Sequence, residues 1–267
     1  MEITLQNILD AITEVAPLHW QESYDNAGIQ VGDADKVVHK VLVALDVTEA
    51  VLDEAIAKGC DLVVSHHPLI FHGLKHITSQ TYIERCVVKA IKNDMAILSM
   101  HTNLDNSYQG VSRCLAERLD MHDLRILQPM TDDPLLCGAG VIGELRIPMT
   151  EEAFLSWVKV NLGTPCLRHS ALTGKTIHRV ALCGGTGTFL LPDARRQNAD
   201  AFLSADMKYH EFFNAENDIL MVDGGHFETE QYTKELIRDL IQKKFPTFAA
   251  EIAETCTNSV HYFVEEE

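Results

Sequence analysis

The chain has 267 residues, 46% of them hydrophobic, which is enough for one large domain or two modest ones, each with its own core. Its 22 basic and 39 acidic residues give a formal charge of −17, and no dense basic cluster is visible, so nucleic acid is a poor candidate as a partner. Seven scattered cysteines without a CxxC pair favour thiols, and no apolar run approaches the roughly 18 residues that span a bilayer, so we expect a cytoplasmic protein without a membrane partner.

The first half of the chain predicts alternating helices and strands. Residues 25–32 predict a glycine-dependent turn. We expect helices over 5–15, 48–58, 80–93 and 110–119, and strands over 37–45, 62–65 and 95–100. Helices of about 10 to 15 residues that alternate with strands favour βαβ units and a largely parallel sheet.

A second block begins after the breakers Gln128-Pro129 and Asp133-Pro134, which place a domain boundary near 125–133. A last helix from about 227 to 244 and a terminal strand near 259–264 can return to the first block. Within the second block we expect strands near 137–147, 165–170, 177–183, 201–204 and 219–222, and helices near 150–161, 190–198 and 206–215.

Two adjacent histidines, His66 and His67, follow the predicted strand 62–65 and precede Pro68. In an extended chain successive side chains point to opposite faces, and proline keeps the preceding residue extended, so the two rings should diverge. At the carboxyl edge of an open α/β sheet, diverging imidazoles suit two neighbouring metal ions better than one. Ordinary loop histidines are the alternative, and the pair alone does not decide.

Two other segments place polar side chains at strand ends. Asp105 follows the strand 95–100 and can face the histidines, although aspartate also serves as a cap or turn residue. His101 is a candidate proton shuttle because imidazole titrates near neutral pH; holding a neighbouring ligand by a hydrogen bond is an equal interpretation. His226 and Glu230 are four residues apart and share one helical face, so both can meet one ion, although this spacing is common by chance.

The five residues His66, His67, Asp105, His226 and Glu230 together make three imidazoles and two carboxylates. Two divalent cations would bring +4 against −2, so the site would stay cationic and attract water, hydroxide and phosphate oxygens. Such ions lower the pKa of bound water. Nitrogen and oxygen ligands without thiolate fit Zn, Mn, Fe, Co or Ni. The set therefore predicts two divalent ions per chain.

A glycine-rich segment, CGGTG at 183–187, follows a predicted strand and precedes a helical segment. Backbone amides at Gly184, Gly185 and Gly187 can contact a substrate phosphate. The segment is neither a Walker loop nor a GxGxxG fingerprint, and tight backbone packing is the preferred alternative. Residues 204–208 can either line the cavity that holds the site or contain a helix cap at Ser204 or Asp206.

Five motifs resemble those of the Nif-three-like family, whose bacterial members are often labelled GTP cyclohydrolase 1 type 2 homologs: DNAGIQVG at 25–32, SHHPLIF at 65–71, HTNLD at 101–105, CGGTG at 183–187 and GGHFETE at 224–230. The resemblance spans nearly the whole chain and matches the short form of the family. It implies an α/β protein with two similar α/β lobes, the first completed by the C-terminal segment. We accordingly expect a metal-binding lobe from 1–127 plus 224–267, and a second lobe from 128–223.

By the same resemblance, His67 and Asp105 bind one ion, His66 and His226 bind the other, and Glu230 touches both. The family also implies a toroidal homohexamer with its metal sites facing an interior cavity. Its label suggests a metal-dependent hydrolase that acts on a nucleotide or related phosphorylated compound, such as one opening the guanine ring of GTP. A non-catalytic metal-binding, metal-delivery or regulatory ring protein is the alternative, because folds and metal sites are shared more widely than one reaction. Five ligands for two ions leave open positions, which favours hydrolysis, although a delivery protein also needs exchangeable positions.

Overall fold

The computed structural model describes residues 2–131, 133 and 135–263, and its helices and strands alternate along most of the chain. Within these residues, no helix combines the length and the apolar composition needed to cross a membrane. Short 3-10 helices cover Leu18–Trp20, Thr188–Leu190 and Tyr209–Ala215. The α-helices are α1 (Leu5–Thr13), α2 (Glu49–Ala57), α3 (Tyr82–Lys92), α4 (Thr102–Asp105), α5 (Val111–Arg118), α6 (Glu151–Leu162), α7 (Leu191–Arg196), α8 (His226–Glu230) and α9 (Thr233–Lys244). The strands are β1 (Gly28–Val31), β2 (Lys40–Ala44), β3 (Leu62–Ser65), β4 (Ala96–Ser99), β5 (Met121–Pro129), β6 (Gly138–Thr150), β7 (Arg168–His169), β8 (Thr176–Thr186), β9 (Ala201–Ala205), β10 (Leu220–Asp223) and β11 (Ala249–Ile252).

The chain divides into two compact units, each with its own sheet. The first contains the described residues of Met1–Leu104 and Thr233–Thr257, and the second those of Asp105–Tyr232 and Asn258–Glu267. The α/β class is confirmed, and the chain returns to the first unit through α9 and β11, so a C-terminal segment completes that unit.

The bounds of these units differ from the expected lobes 1–127 plus 224–267 and 128–223. Helix α5 belongs to the second unit because its Leu115 joins the core that also contains Val141 and Phe154. Strand β5, which includes the breaker Gln128-Pro129, pairs antiparallel with β6, and both strands belong to the second unit.

The first sheet has the strand order β1-β4-β3-β2-β11, and all strands except β1 run parallel. The strands β2, β3 and β4 are short apolar runs that are buried on both faces, as is typical of parallel sheets covered by helices. The register pairs Ala44 with Ser65, and Ser65 with Ser99. The carboxyl ends of these three strands therefore meet at one edge.

The glycine-rich segment at 25–32 contains a strand and is not only a turn. Strand β1 pairs antiparallel with β4, which places Gly28 beside Ser99. Gly32 has a φ of +118°, and a Cβ atom there would lie 2.9 Å from the Ala96 Cβ. Glycine therefore permits both the backbone conformation and the close approach to β4.

The second sheet has the strand order β5-β6-β8-β9-β10-β7, in which β8, β9 and β10 run parallel and the other pairs are antiparallel. The register pairs Ser204 with Asp223, so β9 and β10 end side by side. Phe154 on α6 and Phe202 on β9 are among the largest fully buried side chains. The parallel strands at the centre of this sheet therefore also end at one edge, as in the first sheet.

Other predicted elements also differ from the observed ones. The helix expected over 227–244 is two helices, α8 and α9, because the chain passes from one unit to the other between Tyr232 and Thr233. The helix expected over 206–215 is the 3-10 helix Tyr209–Ala215. Residues 259–263 form no strand, and residue 264 lies outside the described residues. The strand that returns to the first unit is instead β11, which pairs parallel with β2.

Glu54 on α2 ties the C-terminal segment to the first unit. Its carboxylate accepts hydrogen bonds from the backbone N–H groups of Glu254 and Thr255 at 2.8 and 2.9 Å. The Thr255 hydroxyl donates at 2.6 Å, and Lys58 Nζ lies at 2.9 Å. Burial opposes ionisation, but these bonds outweigh it and lower the pKa of Glu54 to about 2.

We expect Glu54→Gln to make the protein less stable at pH 7 and less sensitive to acid. Because the folded pKa of Glu54 is depressed, its stabilisation is full above about pH 5 and is lost as the pH falls through about 2. The free energy of unfolding should drop by about 2 kcal/mol at pH 7, with a smaller difference at pH 3. Urea denaturation at both pH values measures this. Glu14→Gln, in an exposed pair with Lys244, should change little; a pH-independent effect of Glu54→Gln would contradict the assignment.

Candidate metal-binding site

Three imidazoles lie at the carboxyl ends of two adjacent strands in the first unit. His66 and His67 follow β3, and His101 lies just beyond β4. One ligand nitrogen of each lies within 4.8 Å of the other two. His66 is fully buried and the other two rings are half-buried. Three nitrogen donors at this spacing can hold a divalent ion.

The rings of His66 and His67 do not point to opposite faces as the sequence predicts. Their centroids are 4.8 Å apart and their planes are inclined by 50°. Strand β3 ends at Ser65, so both histidines lie beyond the strand and its two-residue alternation does not apply to them. The two rings therefore belong to one group of donors.

Hydrogen bonds orient the rings of His66 and His67. His66 Nδ1 donates to the Met100 carbonyl at 2.9 Å, so the proton is on Nδ1 and the lone pair is on Nε2. His67 Nδ1 lies 2.7 Å from Asp46 Oδ1, and Thr257 donates to the other oxygen of Asp46 at 2.6 Å. Burial opposes the charge of Asp46, but the His67 hydrogen bond and charge outweigh it and lower its pKa. Imidazoles held in this way at Nδ1 are typical of metal ligands.

His101 is held by Asp25, a residue just before β1. Asp25 Oδ1 lies 2.7 Å from His101 Nδ1, and its other oxygen accepts from the N–H and the hydroxyl of Thr102 at 3.0 and 2.5 Å. Burial raises the pKa of Asp25, but the bonds from His101 and Thr102 outweigh it and lower the pKa to about 2. An ionised Asp25 can keep a proton on His101 Nδ1. The geometry of His101 thus suits proton transfer, and its place in the group also suits metal binding.

The second unit contains a histidine between two carboxylates. His226 begins α8; its Nδ1 lies 2.7 Å from Asp206 Oδ2 and its Nε2 lies 3.0 Å from Glu230 Oε2. Thr186 donates to Asp206 at 2.7 Å. Burial opposes a charge on His226, but hydrogen bonds to Asp206 and Glu230 outweigh it and raise the pKa of His226 to about 11. A cation at this position would displace that proton, as metals do when they bind histidine.

The carboxylates of Asp105 and Glu230 place negative charge near Cys183. Asp105 ends α4, and Glu230, which is 4% exposed, ends α8. Burial and then the charges of these two carboxylates raise the pKa of the Cys183 thiol to about 12. Cys183 therefore stays a neutral thiol, while two carboxylates close to it provide oxygen donors for a cation.

The segment 183–187 is engaged in packing. The N–H of Gly184 donates to the Ser112 hydroxyl at 3.4 Å, and that of Gly185 donates to the Thr229 hydroxyl at 3.1 Å. A Cβ atom on Gly187 would lie 2.5 Å from the Cys183 Cβ. These contacts favour the packing interpretation of Gly184, Gly185 and Gly187 over a phosphate contact.

Three carboxylates that orient histidines were given no such role from sequence. Asp46 follows β2, which neighbours β3, and Asp206 follows β9, which neighbours β10. Their position at a strand end beside a histidine-bearing strand is a signal that can identify them. Asp25 has no such signal, because β1 is an antiparallel edge strand and the motif around Asp25 is rich in turn residues.

We expect Asp46→Ala to weaken metal binding by about 10- to 100-fold, because the ring of His67 would lose the acceptor that orients it. Competition with a chelator of known affinity measures the change. Asp53→Ala is the matched control, since Asp53 forms an exposed ion pair with Lys89 on the surface. An unchanged affinity in Asp46→Ala would show that His67 binds no ion or needs no support.

The structure defines a two-sheet α/β protein whose parallel strands end in histidines that could bind a metal ion. The family model described as Duf34/NIF3 (NGG1p interacting factor 3) matches residues 3–259. The chain belongs to the DUF34/NIF3 family.

Relatives and solved structures agree with this membership. Proteins named GTP cyclohydrolase 1 type 2 homolog from Clostridium perfringens and Campylobacter jejuni are each 34% identical, over 227 and 241 residues. These alignments cover 85% and 88% of this chain and 86% and 91% of the relatives. A crystal structure of a Staphylococcus aureus protein, 27% identical, superposes with a TM-score of 0.91 and covers 98% of this chain and 99% of its own. A Bacillus cereus protein related to NIF3, 23% identical, shares the fold with a TM-score of 0.93, over 98% of this chain and all of its own.

Proposed function

We propose that the chain binds two divalent metal ions through His66, His67, Asp105, His226 and Glu230 and is a metal-dependent hydrolase of a nucleotide or related phosphorylated compound. The observation that supports this most is the hydrogen bonding of the histidines at Nδ1, which would leave Nε2 as the nitrogen that binds an ion. Family resemblance supports the assignment of His67 and Asp105 to one ion, His66 and His226 to the other, and Glu230 to both.

The residues present fit such ions. Imidazole nitrogens and carboxylate oxygens are ligands of Zn, Mn, Fe, Co and Ni, and the buried Cys183 thiol, with its raised pKa, is a poor competitor as a ligand. The two carboxylates do not fully offset two divalent charges, which favours binding of phosphate oxygens. The names of the relatives point to GTP as the first compound to test.

In the proposed reaction the chain's own residues orient the ligands and move protons. When bound, divalent ions lower the pKa of water and so supply a nucleophile near neutral pH. Asp46 and Asp206 hold the rings of His67 and His226 in place. His101, with its Nδ1 proton held by Asp25, can accept or donate a proton at Nε2 as a general acid or base.

The proposal includes assembly into a toroidal homohexamer in the cytoplasm. The family resemblance supports the ring, and closed symmetric rings are common among homo-oligomers. The thiols of Cys60, Cys86 and Cys183 are buried and unbridged, which suits a reducing compartment. Sedimentation equilibrium should give six times the chain mass of 29.8 kDa; a monomeric mass would contradict the ring.

A turnover screen tests the hydrolase. Metal-loaded protein is incubated with nucleotides and phosphoesters, GTP among them, and products are followed by chromatography. We expect turnover that a chelator abolishes and that His66→Ala lacks. His39→Ala, an exposed histidine paired with Asp61, should retain it. Absence of metal-dependent turnover across the panel would favour the alternative, a non-catalytic metal-binding, metal-delivery or regulatory protein.

A further inference from the structure

One aromatic ring lies beside the histidine group of the first unit, and a second ring lies beside the first. Phe71 follows His66 and His67 in the loop after β3, and its ring centroid lies 6.0 Å from that of His101. The ring of Tyr24 lies 6.4 Å from that of Phe71 and is 64% exposed. We call Tyr24 and Phe71 the aromatic rim.

Hydrogen bonds between two segments hold the aromatic rim in place. Asn26 Nδ2 donates to the Ile70 carbonyl at 2.6 Å, and the Ile70 N–H donates to Gln30 Oε1 at 3.2 Å. Gln30 Nε2 donates to the Asn26 carbonyl at 2.6 Å. These bonds tie the segment that carries Tyr24 to the loop that carries Phe71. The segments that carry the two rings are therefore tied to each other, with the Phe71 ring beside His101.

The aromatic rim has the chemistry of a stacking surface. A single exposed aromatic residue is common and needs no explanation. Here two neighbouring rings lie on segments joined by side-chain-to-backbone hydrogen bonds, and one of them, Phe71, borders a group of nitrogen donors that can hold an ion. Aromatic faces stack on planar heterocycles with little dependence on which base is present. A ligand with a flat ring can thus contact the rim while its polar part meets the histidine group.

We propose that the aromatic rim binds the planar heterocycle of the substrate by stacking, which places the reacting part of the substrate at the histidine group. This inference rests on the proposed function and narrows its substrate class. The substrate combines a phosphate with an aromatic heterocycle, as purine nucleotides do. Sugar phosphates without a flat ring lack the contact with the rim and bind more weakly.

Calorimetric titration of the metal-loaded full chain with GTP and with ribose 5-triphosphate, which has the same phosphates but no ring, tests the inference. GTP should bind at least about tenfold more tightly than ribose 5-triphosphate. Phe71→Ala and Tyr24→Ala should each weaken GTP binding about tenfold and leave the affinity for ribose 5-triphosphate unchanged. Phe71→Leu keeps an apolar side chain without the flat ring and should also weaken GTP binding. Phe213→Ala, a ring of the second unit that is 66% exposed, is the control, and thermal unfolding verifies that each variant is folded.

Several outcomes overturn the aromatic rim as a substrate contact. These are equal affinity of the parent for the two compounds, or equal GTP affinity in the parent and both rim variants. A rim variant that changes the sedimentation mass but not GTP affinity assigns the rim to contacts between copies of the chain. Turnover is scored separately. Rim-dependent GTP binding without metal-dependent turnover supports the aromatic rim and refutes the hydrolase. Metal-dependent turnover with an unchanged KM in Phe71→Ala supports the hydrolase and refutes the aromatic rim.

Discussion

If the chain binds two divalent ions as proposed, Glu230→Ala is expected to remove most of the metal. Glu230 is 4% exposed, and its Oε2 lies 3.0 Å from His226 Nε2. A carboxylate has two oxygens and can bind two neighbouring ions, which is the role that the family resemblance implies for Glu230. Its loss would leave each ion with one ligand fewer and would remove a buried negative charge.

Metal content after exhaustive dialysis, measured by inductively coupled plasma mass spectrometry, gives the result for Glu230→Ala. Glu230→Gln keeps the size of the side chain but loses the charge, and should also lose most of the metal. Glu235→Ala, in the exposed first turn of α9, is the matched control and should keep both ions. Full metal content in Glu230→Ala would refute the bridging role, and the loss of only one ion would assign Glu230 to a single ion.

Gly185→Ala is expected to disturb the same carboxylate by a steric clash. Gly185 has a φ of +60°, and a Cβ atom there would lie 2.2 Å from Glu230 Oε1. The substitution combines left-handed backbone strain with a steric clash in a packed interior, so we expect a loss of about 2–4 kcal/mol in the free energy of unfolding. Because relief of the clash requires Glu230 to move, metal affinity should also fall.

Gly163→Ala separates backbone strain from the clash. Gly163 has a φ of +66° at the end of α6, and no atom lies near the position its Cβ would take. This control should lose only about 1–2 kcal/mol and should bind metal like the parent. Urea unfolding and metal analysis of both variants provide the comparison. If the two variants lost equal stability and both kept their metal, the close approach of Glu230 to Gly185 would have no role in the site.

Sequence patterns predicted the parts of the fold that depend on local signals. The buried strand 62–65 has the predicted bounds, and α2, α3 and α5 begin and end within two residues of the predicted helices. Their apolar spacing and capping residues are local. Strand β11, with the sequence AAEI, has no such signal, since its strand conformation comes from pairing with β2. The unit boundary differs from the expected one because α5 and β5 belong to the second unit through their packing in its core, which has no local sequence signal.

The histidines can be identified from local sequence patterns, whereas the carboxylates that orient them depend on the tertiary fold. His66, His67 and His101 are visible in the sequence because each follows an apolar run that predicts a strand. The contacts of His67 with Asp46 and of His101 with Asp25 join residues 21 and 76 positions apart. Such pairs depend on strand order and register, which a single sequence does not specify. Local patterns therefore identify candidate ligands, and the tertiary fold identifies the groups that orient them.

The return of the chain to the first unit has a consequence for synthesis on the ribosome. Strand β2 is made early, but its neighbour β11 is made only after residues Asp105–Tyr232 of the second unit. At about 5–20 residues per second, the nascent β2 edge waits on the order of tens of seconds for its partner. During that interval an apolar strand edge is open to pairing with other nascent chains. Chaperone capture of the growing polypeptide would protect this edge, and removal of the last strand would make the exposure permanent.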